Sequence, residues 1–127
     1  MIQAPVSVGE LIDKLSILHV KQTKITNEEK LEYVNKEFEL LYNLSSGYLD
    51  NPEIELLYHQ LVETNSKLWD IEDRLRVIET ERKFEGEFID YARKVYFTND
   101  ERFRLKNKIN NISNSEIREV KEYVKYQ

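Results

Sequence analysis

Asn65, Trp69, Glu72 and Arg76 stand three or four residues apart, so on a helix they fall in one narrow stripe and can touch one another. An indole and an amide beside a Glu–Arg pair are the makings of a small polar pocket, in which Arg76 would take an anion and Glu72 would act as acid or base. The plainer alternative is an ion pair within one helix at the edge of a core, with Trp69 an ordinary core aromatic, and we place it first because scaffolds produce such groupings too. A second group is Arg93, Tyr96, Asn99, Arg102 and Lys106. Thr98-Asn99-Asp100-Glu101 in its midst has the residues of a helix start. Free backbone amides would there face two arginines and a lysine, as a phosphate or carboxylate site requires. Here again solvated cations that neutralise an acidic neighbourhood come first.

Other patterns carry less. Glu10 with Asp13, and Asp70 with Asp73, have the spacing that helical magnesium-dependent nucleotide pyrophosphatases use. Each pair is expected to project away from the apolar stripe of its helix, whereas metal oxygens must converge inside a bundle. His19 and His59 have no second His at ligand spacing, and a chain without Cys has neither a thiolate zinc site nor a disulfide. Gly9, Gly47 and Gly86 stand alone at expected helix boundaries, which gives no phosphate-cradling loop, and no serine triad pattern is present. No metal and no cofactor are expected, and catalytic residues stay unassigned.

These groups need helices to hold them. Read in sevens, Ile54, Leu61, Leu68 and Leu75 share one position and Leu57, Thr64, Ile71 and Ile78 another, which is a coiled-coil seam interrupted only by Thr64. Asn51-Pro52-Glu53 caps the start of this helix, and nothing breaks it before Gly86. Ahead of it, Ser7-Val8-Gly9-Glu10 opens a first helix reaching about Ile25, and Thr26-Asn27-Glu28-Glu29 opens a second that stops at Gly47. The short link makes these two an antiparallel hairpin. Three shorter helices follow: one after Gly86, one capped at Thr98, and one after Ser113-Asn114-Ser115 carrying Ile117, Val120 and Val124. The expected fold is all-α, a helical bundle of long coiled-coil-like helices in a single domain spanning 1–127.

At 1.5 Å per residue a helix over 52–84 is about 50 Å long, whereas a compact chain of this size is roughly 35 Å across. Either the helix kinks, or it projects, or a second subunit covers the excess; the last makes a homodimer through the long helix the expected assembly.

With 127 residues, 34% charged and 40% apolar, 3 Gly and 2 Pro, the composition is that of a helical bundle and not of a disordered linker. The net charge of −5 is unevenly spread: residues 1–92 carry 10 basic and 19 acidic side chains, residues 93–127 carry 9 and 5. The overall sign argues against nucleic acid as partner, and the basic last third suits a small anion. No uncharged run reaches the roughly 18 residues of a membrane span and the start has no export pattern, so a cytoplasmic location is expected.

Leu68-Trp-Asp-Ile-Glu-Asp, the stretch Phe88 to Arg93, Val95-Tyr96, Thr98-Asn99-Asp100 and the early Val8-Gly-Glu-Leu-Ile-Asp-Lys-Leu-Ser-Ile-Leu carry a likeness. Over nearly its whole length the chain resembles a family of small uncharacterised proteins, a domain of unknown function met in bacteria and phages. The resemblance implies a complete domain and no particular activity. The expected role is a small binding or interaction module that recognises an anionic ligand. The alternative is a metal-independent helical enzyme or sensor for a phosphorylated or carboxylated metabolite, which requires Arg76, Arg93 and Arg102 to converge on one concave pocket.

Overall fold

The computed structural model describes residues 1–126. Among them are four helices, α1 (Val8–Lys24), α2 (Glu28–Leu49), α3 (Pro52–Glu81) and α4 (Gly86–Ser113), and no strand. The bundle is all-α, with fewer and longer helices than the six expected. None of the helices is long and apolar enough to cross a membrane.

The first three helices start where side chains supply the missing hydrogen bonds. Ser7 Oγ accepts from the Glu10 amide at 3.0 Å, Asn27 Oδ1 (and not Thr26) from the Lys30 amide at 2.9 Å, and Asn51 Oδ1 from the Glu53 amide at 2.9 Å. The expected stop at Gly47 is not used: α2 runs on to Leu49. A glycine inside a helix costs only about 1 kcal/mol relative to alanine, whereas Pro52 forces the residue before it out of helical conformation, so Asn51 and Pro52 set the turn. At the far end α3 stops at Glu81, three residues short of the expected limit, with Arg82 in the left-handed region.

The expected break at Thr98 is also absent, and α4 continues through Thr98–Glu101. Asn99 does not cap there; its Oδ1 accepts instead from Arg102 Nη1 at 3.1 Å, one turn along the same helix. The apolar and polar contacts of α4 recur every three or four residues from Phe88 through Val95, Arg102 and Ile109 without a phase change. Tertiary packing of that stripe outweighs the local preference to start afresh. Among the described residues beyond Ser113 there is no further helix. Asn114, at φ 55°, ends α4 with the Ser115 amide on Asn110 O at 2.9 Å and the Asn114 amide on Asn111 O at 3.4 Å, a Schellman closure with asparagine where glycine is usual. Val120 and Val124 are exposed, so the segment after it has no apolar face with which to stabilise a short helix.

The core joins Ile12 and Leu15 of α1, Ile54, Leu57, Tyr58 and Leu61 of α3, and Leu105 and Ile109 of α4, with Phe38 and Leu41 of α2 packed at its edge. Seven of the eight heptad positions of α3 are buried and Leu75 is half-buried. The partner of that seam is the chain itself. The four-residue link after Glu81 turns α4 back along α3, with Arg74 paired to Glu87 and Phe84 packed edge-on against Phe88 at 5.3 Å. Because α4 is not broken at Thr98, it is nearly as long as α3 and covers the length that suggested a kink, a projection or a second subunit.

Candidate functional site

The most buried polar cluster centres on Asp13, which is 1% exposed. The expectation that Asp13 projects away from the apolar face is overturned: α1 is covered on one side by α3 and on the other by α4, so both faces of this helix turn inward there. Arg102 on α4 meets the carboxylate at two points, Nη2 to Oδ2 at 2.7 Å and Nε to Oδ1 at 3.4 Å. Asn65 on α3 donates its Nδ2 to Asp13 Oδ1 at 3.0 Å and to Ser16 Oγ at 2.8 Å, and Ser16 Oγ in turn donates to the Asp13 carbonyl. Both carboxylate oxygens are engaged and the guanidinium is shared between Asp13 and Asn99. Such a closed network holds three helices in register, and its carboxylate is enclosed by the protein's own donors.

One turn toward the chain start, Gly9 lies against α4, its amide donating to Asn110 Oδ1 at 2.7 Å. The Val8 amide donates to Ser115 Oγ at 3.2 Å, and that hydroxyl donates to Ile117 O at 2.7 Å, so the first helix is fastened to the end of the last. Lys106, whose side chain is largely covered, reaches Glu119 at 2.7 Å and Glu10 at 3.5 Å. On the opposite side of α1, His19 Nδ1 and the Tyr58 hydroxyl are 2.8 Å apart. Burial, and then Tyr42, push the Tyr58 phenol up to about 12.

The sequence groups are divided by this geometry. Asn65, Asn99 and Arg102 come together, from two groups, on Asp13. Lys106 turns to Glu119 and Glu10. Arg93 lies over the Phe97 ring at 5.7 Å. Glu72 and Arg76 are exposed and line a shallow groove of about 430 Å³ between α3 and α4 with Leu75 and Phe88, and Trp69 is half-buried on the same helix. Arg76, Arg93 and Arg102 therefore stand in three separate places. The free amides expected at Thr98 do not exist, because α4 is unbroken. Among the described residues no group of three or more His, Cys, Asp or Glu side chains could hold a metal ion.

A larger concavity than the groove beside Arg76 lies elsewhere. From Glu116 to Tyr126 the chain is an extended arm that returns along α4 and makes no backbone–backbone hydrogen bond among the described residues. Side chains hold it: Glu119 on Lys106, Lys121 over the Phe103 ring at 5.4 Å, and Tyr126, whose hydroxyl donates to Asp100 while its ring packs edge-on against Tyr96 at 5.4 Å and Phe97 at 5.0 Å. The bond to Asp100 holds the Tyr126 phenol above its ordinary pKa. Between arm and helix is a cavity of about 1120 Å³. Tyr96, Asn99, Asp100, Phe103 and Arg104 line it from α4, and Lys121, Tyr123, Lys125 and Tyr126 from the arm. Neither Arg104 nor Lys125 has a carboxylate within 4 Å among the described residues.

Of the cavity's lining, only Tyr96 and Asn99 were expected from the sequence as site residues; Asp100 was read as part of a helix start, and Val95 and Val124 as buried helix positions. Asp13 did leave a signal: Gly9, Asp13, Ser16 and Val20 repeat at spacings of four, three and four, a small-residue stripe beside the apolar one. The arm left none, since it has no periodicity. No curated protein and no solved structure matches the chain. The model of the family of unknown function DUF6165 matches residues 2–126, and the chain belongs to that family.

Proposed function

We propose that the protein is a small helical binding module whose site is the cavity between α4 and the arm, and that its ligand is a small anion. The cavity's charge carries this reading: Arg104 and Lys125 have no ion-pair partner among the described residues, Lys121 is 3.8 Å from Glu119, and Asp100 is the single carboxylate in the lining. The local excess of positive charge sits in a chain that is negative overall, so an anion is drawn to this face and not to the rest of the surface. The arm supplies two of the three cations and contributes no backbone ladder of its own, which suits a wall that adjusts to what it encloses. The buried Asp13 network lends nothing to the enzyme alternative, because its carboxylate has no free face.

Thermal unfolding in millimolar phosphate, with chloride at matched ionic strength as the control, tests the proposal. The melting temperature should rise as RT ln(1 + [L]/Kd) predicts. The rise should be lost in Arg104→Ala and Lys125→Ala and kept in Lys108→Ala, on the same helix but outside the cavity. No rise in the parent, or an equal rise in all variants, would refute it.

A homodimer is the second part of the proposal. Since α1 and α4 cover the heptad seam of α3, the surface we propose for a second copy is the far end of the α3–α4 hairpin, where Val77, Phe84 and Ile89 are exposed close together in the chain.

A further inference from the structure

We propose that the ligand of this cavity is a ribonucleoside monophosphate, an inference that deepens the anion-site reading and rests on it. Size is the first ground. At about 1120 Å³ the cavity slightly exceeds the roughly 300–1,000 Å³ typical of sites for whole small molecules, and an inorganic ion would leave most of it empty.

The walls are the second ground. Tyr96 and Phe103 face the cavity from α4, and Tyr123 and Tyr126 from the arm. Tyr96 and Tyr126 pack edge-on against each other, and Lys121 lies over Phe103 at 5.4 Å and Tyr123 at 5.7 Å, so a flat ring would take the place of that ammonium between the helix and the arm; stacking there is tolerant of which base is present. A sugar phosphate or a simple dianion gains nothing from four rings.

Asp100 is the third ground. It is the one acidic side chain among three cations, and a site for inorganic phosphate would be weakened by it. A ribonucleotide makes use of it: ribose hydroxyls donate to a carboxylate, the pairing that acidic side chains make in dinucleotide sites. Asp100 already accepts from Tyr126, and an ionised carboxylate has lone pairs left for further donors. Each kind of group in a nucleotide then meets its complement, the base with the rings, the ribose with Asp100, and the phosphate with Arg104 and Lys125.

Isothermal titration of the full chain with adenosine monophosphate, its 2′-deoxy form, ribose 5-phosphate and inorganic phosphate tests the inference. Adenosine monophosphate should bind roughly tenfold or more tightly than ribose 5-phosphate, the gain expected of one stacked base. It should also bind more tightly than its deoxy form, with phosphate weakest. Phe103→Ala should remove the advantage over ribose 5-phosphate, and Asp100→Ala the advantage over the deoxy form, with circular dichroism showing that both variants keep their helices. If ribose 5-phosphate or phosphate binds as well as adenosine monophosphate, the nucleotide inference falls and the anion site stands. If none of the four binds, both fall. If the nucleotide binds and neither variant changes its preferences, it binds elsewhere and the inference is overturned.

Discussion

Replacing Gly9 by alanine puts a methyl group where α1 and α4 leave no room. A Cβ at this position would lie 2.5 Å from Lys106 O and 2.9 Å from Asn110 Oδ1, and the nearer atom is helix backbone that cannot turn aside. To restore an ordinary contact near 3.4 Å the start of α1 must move off α4 by about 0.9 Å. That stretches the Gly9 amide to Asn110 bond from 2.7 Å beyond the limit of a useful hydrogen bond. Overpacking costs about 1–3 kcal/mol and a buried polar pair left unmade another 1–3. The two are alternatives in part, since moving relieves one at the expense of the other. Alanine's better helix propensity returns at most about 1 kcal/mol. The net expectation is a loss of about 2 kcal/mol, or roughly 8 °C in Tm for a chain of this length. Gly47→Ala is the matched control: Gly47 is inside α2 with nothing within 4 Å of its would-be Cβ, so the same substitution should stabilise by up to about 1 kcal/mol. Urea unfolding followed by far-ultraviolet circular dichroism reads both, with an unchanged m-value showing that stability alone has shifted. A Gly9→Ala protein as stable as the parent would mean that the two helices are not in the contact described.

Asp13→Ala should cost about 3–5 kcal/mol in the same assay, because Arg102 and Asn65 lose their acceptor in a largely buried place. Combining it with Arg102→Leu should cost less than the sum of the two single changes, and strict additivity would count against the pair. Stability should decline as pH rises from 10 to about 12. The folded chain holds the Tyr58 proton more tightly than the unfolded one, so that contribution is complete below pH 10 and lost as the folded pKa is passed. Tyr58→Phe should shrink that decline, and an unaltered alkaline limb would show that another group is responsible. Light scattering at micromolar concentration should give the mass of a dimer, and Phe84→Glu with Ile89→Glu should return it to a monomer; a monomeric parent would sink that part of the proposal.

The seam on α3 was legible because burial along a long helix repeats in the sequence itself, down to the interrupting Thr64. So were the caps Ser7 and Asn51, whose partners lie within three residues. Thr98 was misread for the complementary reason. A capping signal states what a short segment can do, and whether it does so depends on what the helix packs against, which at Arg102 is an aspartate 89 residues away in sequence. Asp13 was misread because a helix covered on two sides has no outward face of the usual width, and only the small residues Gly9 and Ser16 beside it hinted at close neighbours. Of the cavity only the α4 residues Tyr96 and Asn99 were legible as site residues, because nearly half of its lining belongs to an arm whose course is set by single side chains, Glu119, Lys121 and Tyr126, each meeting α4 at a point.

The fastening of α1 to the end of α4 has a consequence for how the chain is made. Ribosomes add about 5–20 residues per second, so Asp13 must wait roughly 4–18 s for Arg102 to be synthesised, and Gly9 slightly longer for Asn110. Until then the side of Asp13 that α4 covers in the finished protein is open to water, and its carboxylate has no counter-charge. The face of α1 that carries Gly9 and Asp13 therefore stays hydrated during translation and acquires its tight packing only when the last helix emerges. A bundle made of local elements thus folds with the long-range dependence more often associated with sheets.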